Sequence, residues 1–193
     1  MEFNTFTRKI FQKSSDIFEE AEIFRVESEN MKIGIFNGEL DKFSFSNTSG
    51  VSLRGILNGS PGYSYTEAID DKSVDILLEG ALASAESVET GTKLTLPEAG
   101  KSYNAMPESK NKLNSMTTED KIQAMLQLEK KILSRDKRIQ SAQECMYQEF
   151  TSRRIVRNSK GLDLEHADEG GFAYVSVVSR DDTDTKTGSS YRL

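Results

Sequence analysis

The only histidine and the only cysteine of this 193-residue chain are the residues best suited to catalysis. His166 follows Glu165 and lies two residues before Asp168, an arrangement that would suit a general base. No serine or cysteine stands at a spacing that would make it the partner nucleophile. Cys145 lies in an alternating, β-prone run, which is typical of a thiol packed in a core. We therefore predict no catalytic residue in the chain.

The same two counts argue against a metal site and a disulfide. A structural zinc site needs about four Cys or His ligands, and a hydrolytic site needs about two or three His plus a carboxylate. One cysteine cannot form a disulfide within the chain. The acidic run Asp181–Asp184 resembles the start of a calcium loop, but it lacks the central glycine and the closing glutamate. We predict no metal ligand and no cofactor. Because residues 181–188 are polar, we predict a mobile tail there.

A glycine-rich run between residues 50 and 67 is the densest group of residues that could contact a ligand. It does not contain the Gly-Lys-Ser/Thr of a phosphate loop. One interpretation is structural, with two strands joined by a hairpin. The other is that an exposed strand, Val51–Leu57 or Tyr63–Thr66, pairs with a peptide or another chain. The candidate contact residues for a peptide or partner are Arg54, Gly59, Gly62, Tyr63 and Tyr65.

Arg54 lies between apolar residues in the middle of a predicted strand, where a charge is rarely buried without a partner. One interpretation is an ion pair with Glu39, Asp41 or Glu67. The alternative is that the guanidinium binds a substrate carboxylate, since its planar fork matches that group.

Three helices are predicted from apolar residues that recur with a helical period, over residues 3–18, 70–91 and 117–133. Thr117 and Asp120 have the spacing of a capping box at the start of the third helix. The remaining periodic segments alternate as strands do.

The dipeptides Asn37-Gly38 and Asn58-Gly59 favour tight hairpins, so residues 22–66 are expected to form four or five antiparallel strands. More strands follow residue 138, with a turn at Asn158–Gly161. Strands grouped in runs indicate an α+β fold with antiparallel sheets, each packed with helices.

Residues 90–117 lack periodicity and are rich in Ser, Asn and Lys, so we predict a linker there. It would join two sub-domains, an N-terminal α+β domain over residues 1–89 and a middle α+β domain over residues 118–193. The second is expected to be truncated at its C-terminal end.

The net charge of −6 disfavours binding to nucleic acid through a basic face. No apolar stretch is long enough to span a membrane, and the N-terminus lacks the pattern of a signal peptide. We expect no nucleic-acid or membrane partner and a cytoplasmic protein.

Several segments, in order along the chain, resemble the TldD/PmbA (TldD/TldE) family, once called modulators of DNA gyrase. The similar segments are Phe36–Lys42, Gly50–Gly55, Gly62–Glu67, Leu77–Ala81 and Arg157–Leu164. The match runs along almost the whole chain but covers only the N-terminal portion of such a protein. The form Gly-Tyr-Ser-Tyr-Thr-Glu leans towards the PmbA/TldE subtype.

The resemblance implies that the chain belongs to a peptidase. Members of this family are subunits of a cytoplasmic, zinc-dependent peptidase that degrades unfolded peptides and matures some peptide products. In TldD-type subunits a His-Glu-x-x-x-His motif in the C-terminal half binds zinc, whereas TldE-type subunits lack the ligands and pair with TldD. This chain has no such motif, so it is expected to hold no zinc and to be inactive alone.

We therefore predict the N-terminal, non-catalytic region of a TldD/PmbA-type metallopeptidase subunit, which contributes to dimer assembly and peptide access. The expected partners are a second copy or a TldD/TldE-type subunit, and unfolded peptides. One alternative is a stand-alone protein-binding module that uses exposed strand pairing. Another is a regulator of DNA gyrase that makes no direct contact with DNA.

Overall fold

The computed structural model describes residues 1–88, 92–104 and 115–193, which contain three helices and six strands. In chain order these are α1 (Phe3–Ser14), β1 (Glu20–Phe36), β2 (Glu39–Leu57), β3 (Ser60–Thr66), α2 (Asp71–Ser87), α3 (Thr118–Leu133), β4 (Ile139–Asn158), β5 (Asp163–Arg180) and β6 (Thr185–Arg192). The strands form one antiparallel sheet in the order β3-β2-β1-β4-β5-β6. This confirms the α+β class, but the strands form one sheet and not the separate sheets that we expected.

Both predicted Asn-Gly hairpins are present as tight turns. Asn37 and Asn58 have φ of 54° and 53°, and the glycines that follow them both have φ of 80°. Positive φ at two consecutive residues is what a type I′ turn requires, and Asn and Gly tolerate it best. Gly161, with φ of 86°, completes the predicted turn between β4 and β5.

The strands between these turns are longer than predicted. Residues 22–66 lie in three strands rather than four or five. Each of β1 and β2 continues through a polar segment that, in the sequence, looks like the end of a strand. In these segments the two strands remain neighbours, and the Asn47 side-chain amide of β2 donates to Glu29 of β1 at 3.3 Å. The prediction of a mobile tail over residues 181–188 is also wrong, because Thr185–Arg192 pairs with Ala173–Arg180 as β6.

Helix caps set the starts of α2 and α3. The Asp70 carboxylate accepts from the Ser73 amide at 2.8 Å, and Thr117 and Asp120 form the predicted capping box. The helix ends differ from the prediction, since α1 ends at Ser14 instead of residue 18 and α2 at Ser87. Gly91, the predicted end of α2, lies outside the described residues.

Contacts divide the chain into two compact units. Unit 1 comprises the described residues of Met1–Glu27, Thr48–Pro107 and Arg153–Ala167, and unit 2 those of Ser28–Asn47, Glu108–Ser152 and Asp168–Leu193. Strands β1, β2, β4 and β5 thus contribute to both units. The two units are discontinuous in the sequence, unlike the predicted domains at residues 1–89 and 118–193. Whether the chain folds as those two domains with a linker at residues 90–117 stays a prediction.

The core of unit 1 lies between α1, α2 and one face of the sheet. Phe6 and Ile10 of α1 and Leu77 of α2 are fully buried with Ile23 of β1 and Leu53 of β2. Phe18, beyond the end of α1, is 5% exposed and packs against Gly55. The sheet comes close to α2 at Gly62, where a Cβ would lie 1.9 Å from the Ala81 carbonyl oxygen.

Part of the predicted linker packs on unit 1. Leu96 is 3% exposed, and its amide donates to the Glu20 carboxylate at 2.5 Å. Thr95 and Lys160 also donate to Glu20, at 2.7 and 3.3 Å. These donors, the Leu96 amide first, lower the pKa of Glu20 below its usual value.

The core of unit 2 lies between α3 and one face of its strands. Ile33 of β1, Met125 of α3, Cys145 of β4 and Val175 of β5 are buried there. Glu129 of α3 is 1% exposed and its Oε2 accepts from the Gly38 amide at 2.7 Å, so α3 holds the first hairpin turn.

Replacing Gly62 with alanine is expected to destabilise the protein by about 2–3 kcal/mol, because the new methyl group meets helix backbone that cannot move locally. Gly188→Ala is the matched control, since no atom lies within 4 Å of its Cβ position. It should change stability by less than about 0.5 kcal/mol. Urea unfolding measures both, and equal effects would contradict the close approach of α2.

Stability should fall on acidification in part through Glu20. Its pKa is lowered on folding, so its contribution is present above the unfolded value near 4.5 and is lost as the pH falls through the folded value. Glu20→Gln should therefore flatten the decrease in unfolding free energy below that pH. Glu86→Gln, at an exposed position of α2, is the control. An unchanged acid slope for Glu20→Gln would refute the assignment.

Candidate functional site: an open aromatic face

The sheet face of unit 1 opposite α1 and α2 carries three exposed aromatic side chains. Phe24 is 41% exposed, Tyr63 58% and Tyr65 64%. Phe24 follows Ile23, which faces the helices, and because strand side chains alternate it points to the other side. Tyr63 and Tyr65 alternate in the same way with Gly62 and Ser64, which contact α2.

Strand pairing brings Arg54 and Ser52 onto this aromatic face. Arg54 is directly opposite Tyr63, and Ser52 is directly opposite Tyr65. Directly opposite residues of antiparallel strands point their side chains to the same face. The Ser52 hydroxyl lies 3.5 Å from the Phe24 carbonyl oxygen, which places β1 beside them. Unit 1 thus has a contiguous face of aromatic and polar groups.

Arg54 is held by an ion pair, as one interpretation of the sequence expected, but with a different acid. Its Nη2 donates to Glu22 Oε1 at 2.5 Å, so the expected pairing with Glu39, Asp41 or Glu67 is wrong. The partner lies on β1, 32 residues away in the sequence, and only the strand register brings the two together. The Arg54 side chain is 46% exposed, so its other donors can reach a ligand, whereas that of Glu22 is 10% exposed.

The two candidate glycines, Gly59 and Gly62, lie where the fold itself requires a small or flexible residue. Gly62 is where α2 approaches the sheet, and Gly59 lies in the turn before β3, with Lys93 beside it. The contact role predicted for these glycines stays a prediction. Of the two strands predicted to be exposed, Val51–Leu57 is internal, because it pairs with β3 on one side and β2 neighbours β1 on the other. Tyr63–Thr66 lies on β3, at the edge of the sheet.

Of the residues considered for catalysis, Cys145 is buried, and the carboxylate next to His166 is held in an ion pair. Glu165, beside His166, accepts from Arg153 Nε at 2.7 Å, and this bond lowers the pKa of Glu165. Cys145 is 1% exposed, and burial, with Glu129 as a second cause, raises the pKa of its thiol to about 11. A thiol with this pKa is protonated at neutral pH and is a poor nucleophile.

Metal ligands do not cluster in the described part of the chain. No group of three or more His, Cys, Asp or Glu side chains there is placed so that it could hold a metal ion. Within residues 1–88, 92–104 and 115–193, no helix has both the length and the hydropathy of a membrane span.

Comparison with known proteins gives two family matches. The model of PmbA/TldA metallopeptidase domain 1 matches residues 21–85, and that of the PmbA/TldA metallopeptidase central domain matches residues 111–193. No curated protein sequence matches the chain.

Solved structures of similar fold include three proteins of more than twice this length. A proposed modulator of a DNA gyrase from Thermotoga maritima superposes with a TM-score of 0.87 at 22% identity, over 98% of this chain and 42% of that one. TldE from Thermococcus kodakarensis gives 0.80 and 22%, over 96% and 42%. A proposed modulator of DNA gyrase from Bacteroides thetaiotaomicron gives 0.82 and 15%, over 97% and 44%. The chain therefore spans less than half of each.

The Arg54–Glu22 ion pair on the aromatic face should respond unequally to loss of either partner. Arg54→Met leaves a nearly buried carboxylate unpaired and should cost about 1–2 kcal/mol. Glu22→Gln leaves an arginine that water can solvate and should cost less than about 1 kcal/mol. Urea unfolding of both single variants and the double variant measures the asymmetry. A larger cost for Glu22→Gln would contradict the stated burial.

Proposed function

Because the chain belongs to the PmbA/TldD metallopeptidase family, we propose that it is the N-terminal, non-catalytic region of a TldD/TldE-type peptidase subunit. The ordered match to the first and central domains of that family carries the proposal. The region would help to assemble the subunit pair and to admit unfolded peptides, in the cytoplasm. Zinc and the catalytic groups would belong to the C-terminal half of a TldD-type subunit.

The aromatic face of unit 1 supports a role in peptide access. Tyr63 and Tyr65 offer large contact areas with few rotatable bonds, and Phe24 extends the apolar surface. Arg54, beside Tyr63, keeps donors free for peptide carbonyl or carboxylate groups. Such a mixture binds unfolded chains with little sequence preference, because it relies on apolar area and backbone acceptors.

The −6 net charge favours protein over nucleic-acid partners. The chain would pair with a second copy or with a TldD-type subunit, and the similarity to TldE leans towards the non-catalytic subtype.

A second candidate function is a stand-alone binding module. Its supporting observation is that Tyr63 and Tyr65 lie on β3, at a sheet edge where a partner strand could be added. Co-purification with a full-length TldD-type subunit separates the two functions, since a stand-alone module would not form that complex. Two of the similar structures are proposed modulators of DNA gyrase. Regulation of gyrase without contact to DNA is therefore a further alternative.

The proposal predicts that the purified chain binds a labelled unstructured peptide with apolar and aromatic residues but does not cleave it. Tyr63→Ala with Tyr65→Ala should weaken binding about tenfold or more, because two exposed aromatic contacts are lost. Fluorescence anisotropy measures this, and Tyr191→Ala, an exposed tyrosine on β6, is the control. Stoichiometric zinc with peptide turnover by the chain alone would overturn the non-catalytic assignment.

A further inference from the structure

Strand β2 has a free edge along its first half. It pairs with β3 only over Val51–Leu57, so among the described residues no strand covers the same side of Glu39–Asn47. All nine residues of that segment are exposed. A row of unpaired backbone donors and acceptors is therefore open to another strand.

This edge also carries two exposed phenylalanines on the face that α3 covers elsewhere. A Cβ on Gly34 would lie 3.2 Å from the Lys42 Cβ, so these two residues share a face. Their neighbours Ile33 and Phe43 therefore share the opposite face, where Ile33 is buried with α3. Phe43 is 50% exposed and Phe45, two residues on, is 60% exposed. The apolar face of unit 2 thus continues onto β2, where its two phenylalanines are exposed.

The two outer strands of the sheet carry features that discourage pairing with another chain over part of their length. Strand β3 contains Pro61, which has no amide hydrogen to donate. Strand β6 is polar along most of its length and includes Lys186. The segment Glu39–Asn47 has charged residues only before Phe43, has no proline, and presents Phe43 and Phe45 to solvent. Edges with this character are the ones that pair with another chain.

We propose that Glu39–Asn47 pairs antiparallel with the same segment of a second copy, about a two-fold axis at Ser44. In this register Phe43 of each copy lies opposite Phe45 of the other, which forms two aromatic pairs on one face. Asp41 lies opposite Asn47, and Lys42 lies opposite Ser46, so no like charges meet.

Neighbouring registers that keep the same faces together are worse. Moving the axis to Phe43 places Asp41 of each copy opposite Phe45, and moving it to Lys42 places the two lysines opposite each other. Moving it to Phe45 leaves one aromatic pair and places Phe43 opposite Asn47. The axis at Ser44 is therefore the register that side-chain chemistry selects.

The edge is held in place before association. The Gly38 amide at the tip of the hairpin donates to the buried Glu129 carboxylate of α3. A strand that is already extended and anchored loses little conformational freedom on pairing, which favours association. This inference rests on the proposed role in subunit assembly and names the contact that would perform it.

Ser44→Cys tests the register directly. At the two-fold axis the two Cα atoms would be about 4.5–5.5 Å apart, within the range of a disulfide, so mild oxidation should convert the chain into a covalent dimer. The natural Cys145 is buried and does not compete. Ser46→Cys on the same face is the matched control, because its two copies would be about 13 Å apart along the strand and should not link. A Lys42→Cys, Ser46→Cys double variant should link again.

Sedimentation measurements on a dilution series provide a second test. The unmodified chain should dimerise, and Phe45→Ser should raise the dimer dissociation constant at least about tenfold, because both aromatic pairs are lost. Tyr191→Ser, which removes an exposed aromatic from the β6 edge, should leave it unchanged.

A chain that stays monomeric, or a Ser44→Cys variant that links no better than Ser46→Cys, would overturn this inference. A dimer insensitive to Phe45→Ser would do the same. Peptide binding through Tyr63 and Tyr65 and assembly with a TldD-type subunit are read separately, so the proposed function can survive these outcomes. Conversely, a linked Ser44→Cys dimer that binds neither peptide nor such a subunit would remove the proposed function and keep the contact.

Discussion

The two-residue alternation of side chains along the antiparallel strands is the constraint on which the rest of the structure depends. In unit 1 it sends Ile23 and Leu53 towards α1 and α2, and it therefore sends Phe24 to the uncovered face. In unit 2 it places Ile33 under α3 and puts Phe43 on the same face of the neighbouring strand, where it stays exposed. Core and contact surface are thus consequences of the same pattern.

Acidic side chains bind the backbone of segments that lie outside the strand pairing. Glu20 binds the amide of Leu96, and Glu129 binds the amide of Gly38. A carboxylate that accepts from backbone amides satisfies donors which would otherwise lack a partner, and the bond is stronger than a neutral one. An excess of acids therefore does more here than keep the surface charged.

Local features of the fold could be predicted from the sequence because their causes are local. The two Asn-Gly turns and the Thr117 capping box need only the residues that form them. The length of β1 and β2, the existence of β6 and the pairing of Arg54 with Glu22 depend on strands distant in the sequence. Periodicity within one segment contains no information about its partner, so these features required the structure.

Only part of the candidate site could be predicted, again because one segment does not reveal what packs against it. The glycine-rich run identified the right strand, but composition could not separate a residue that approaches a helix from one that faces solvent. Alternation separates them once a single orientation is known: Gly62 meets Ala81 of α2, so Tyr63 and Tyr65 must point away from it. The glycine is then what lets the helix pack closely on the strand, and the tyrosines are exposed because that same packing occupies the other face. A surface built in this way cannot be altered at the glycine without moving the helix, whereas the tyrosines can be exchanged with little effect on the core.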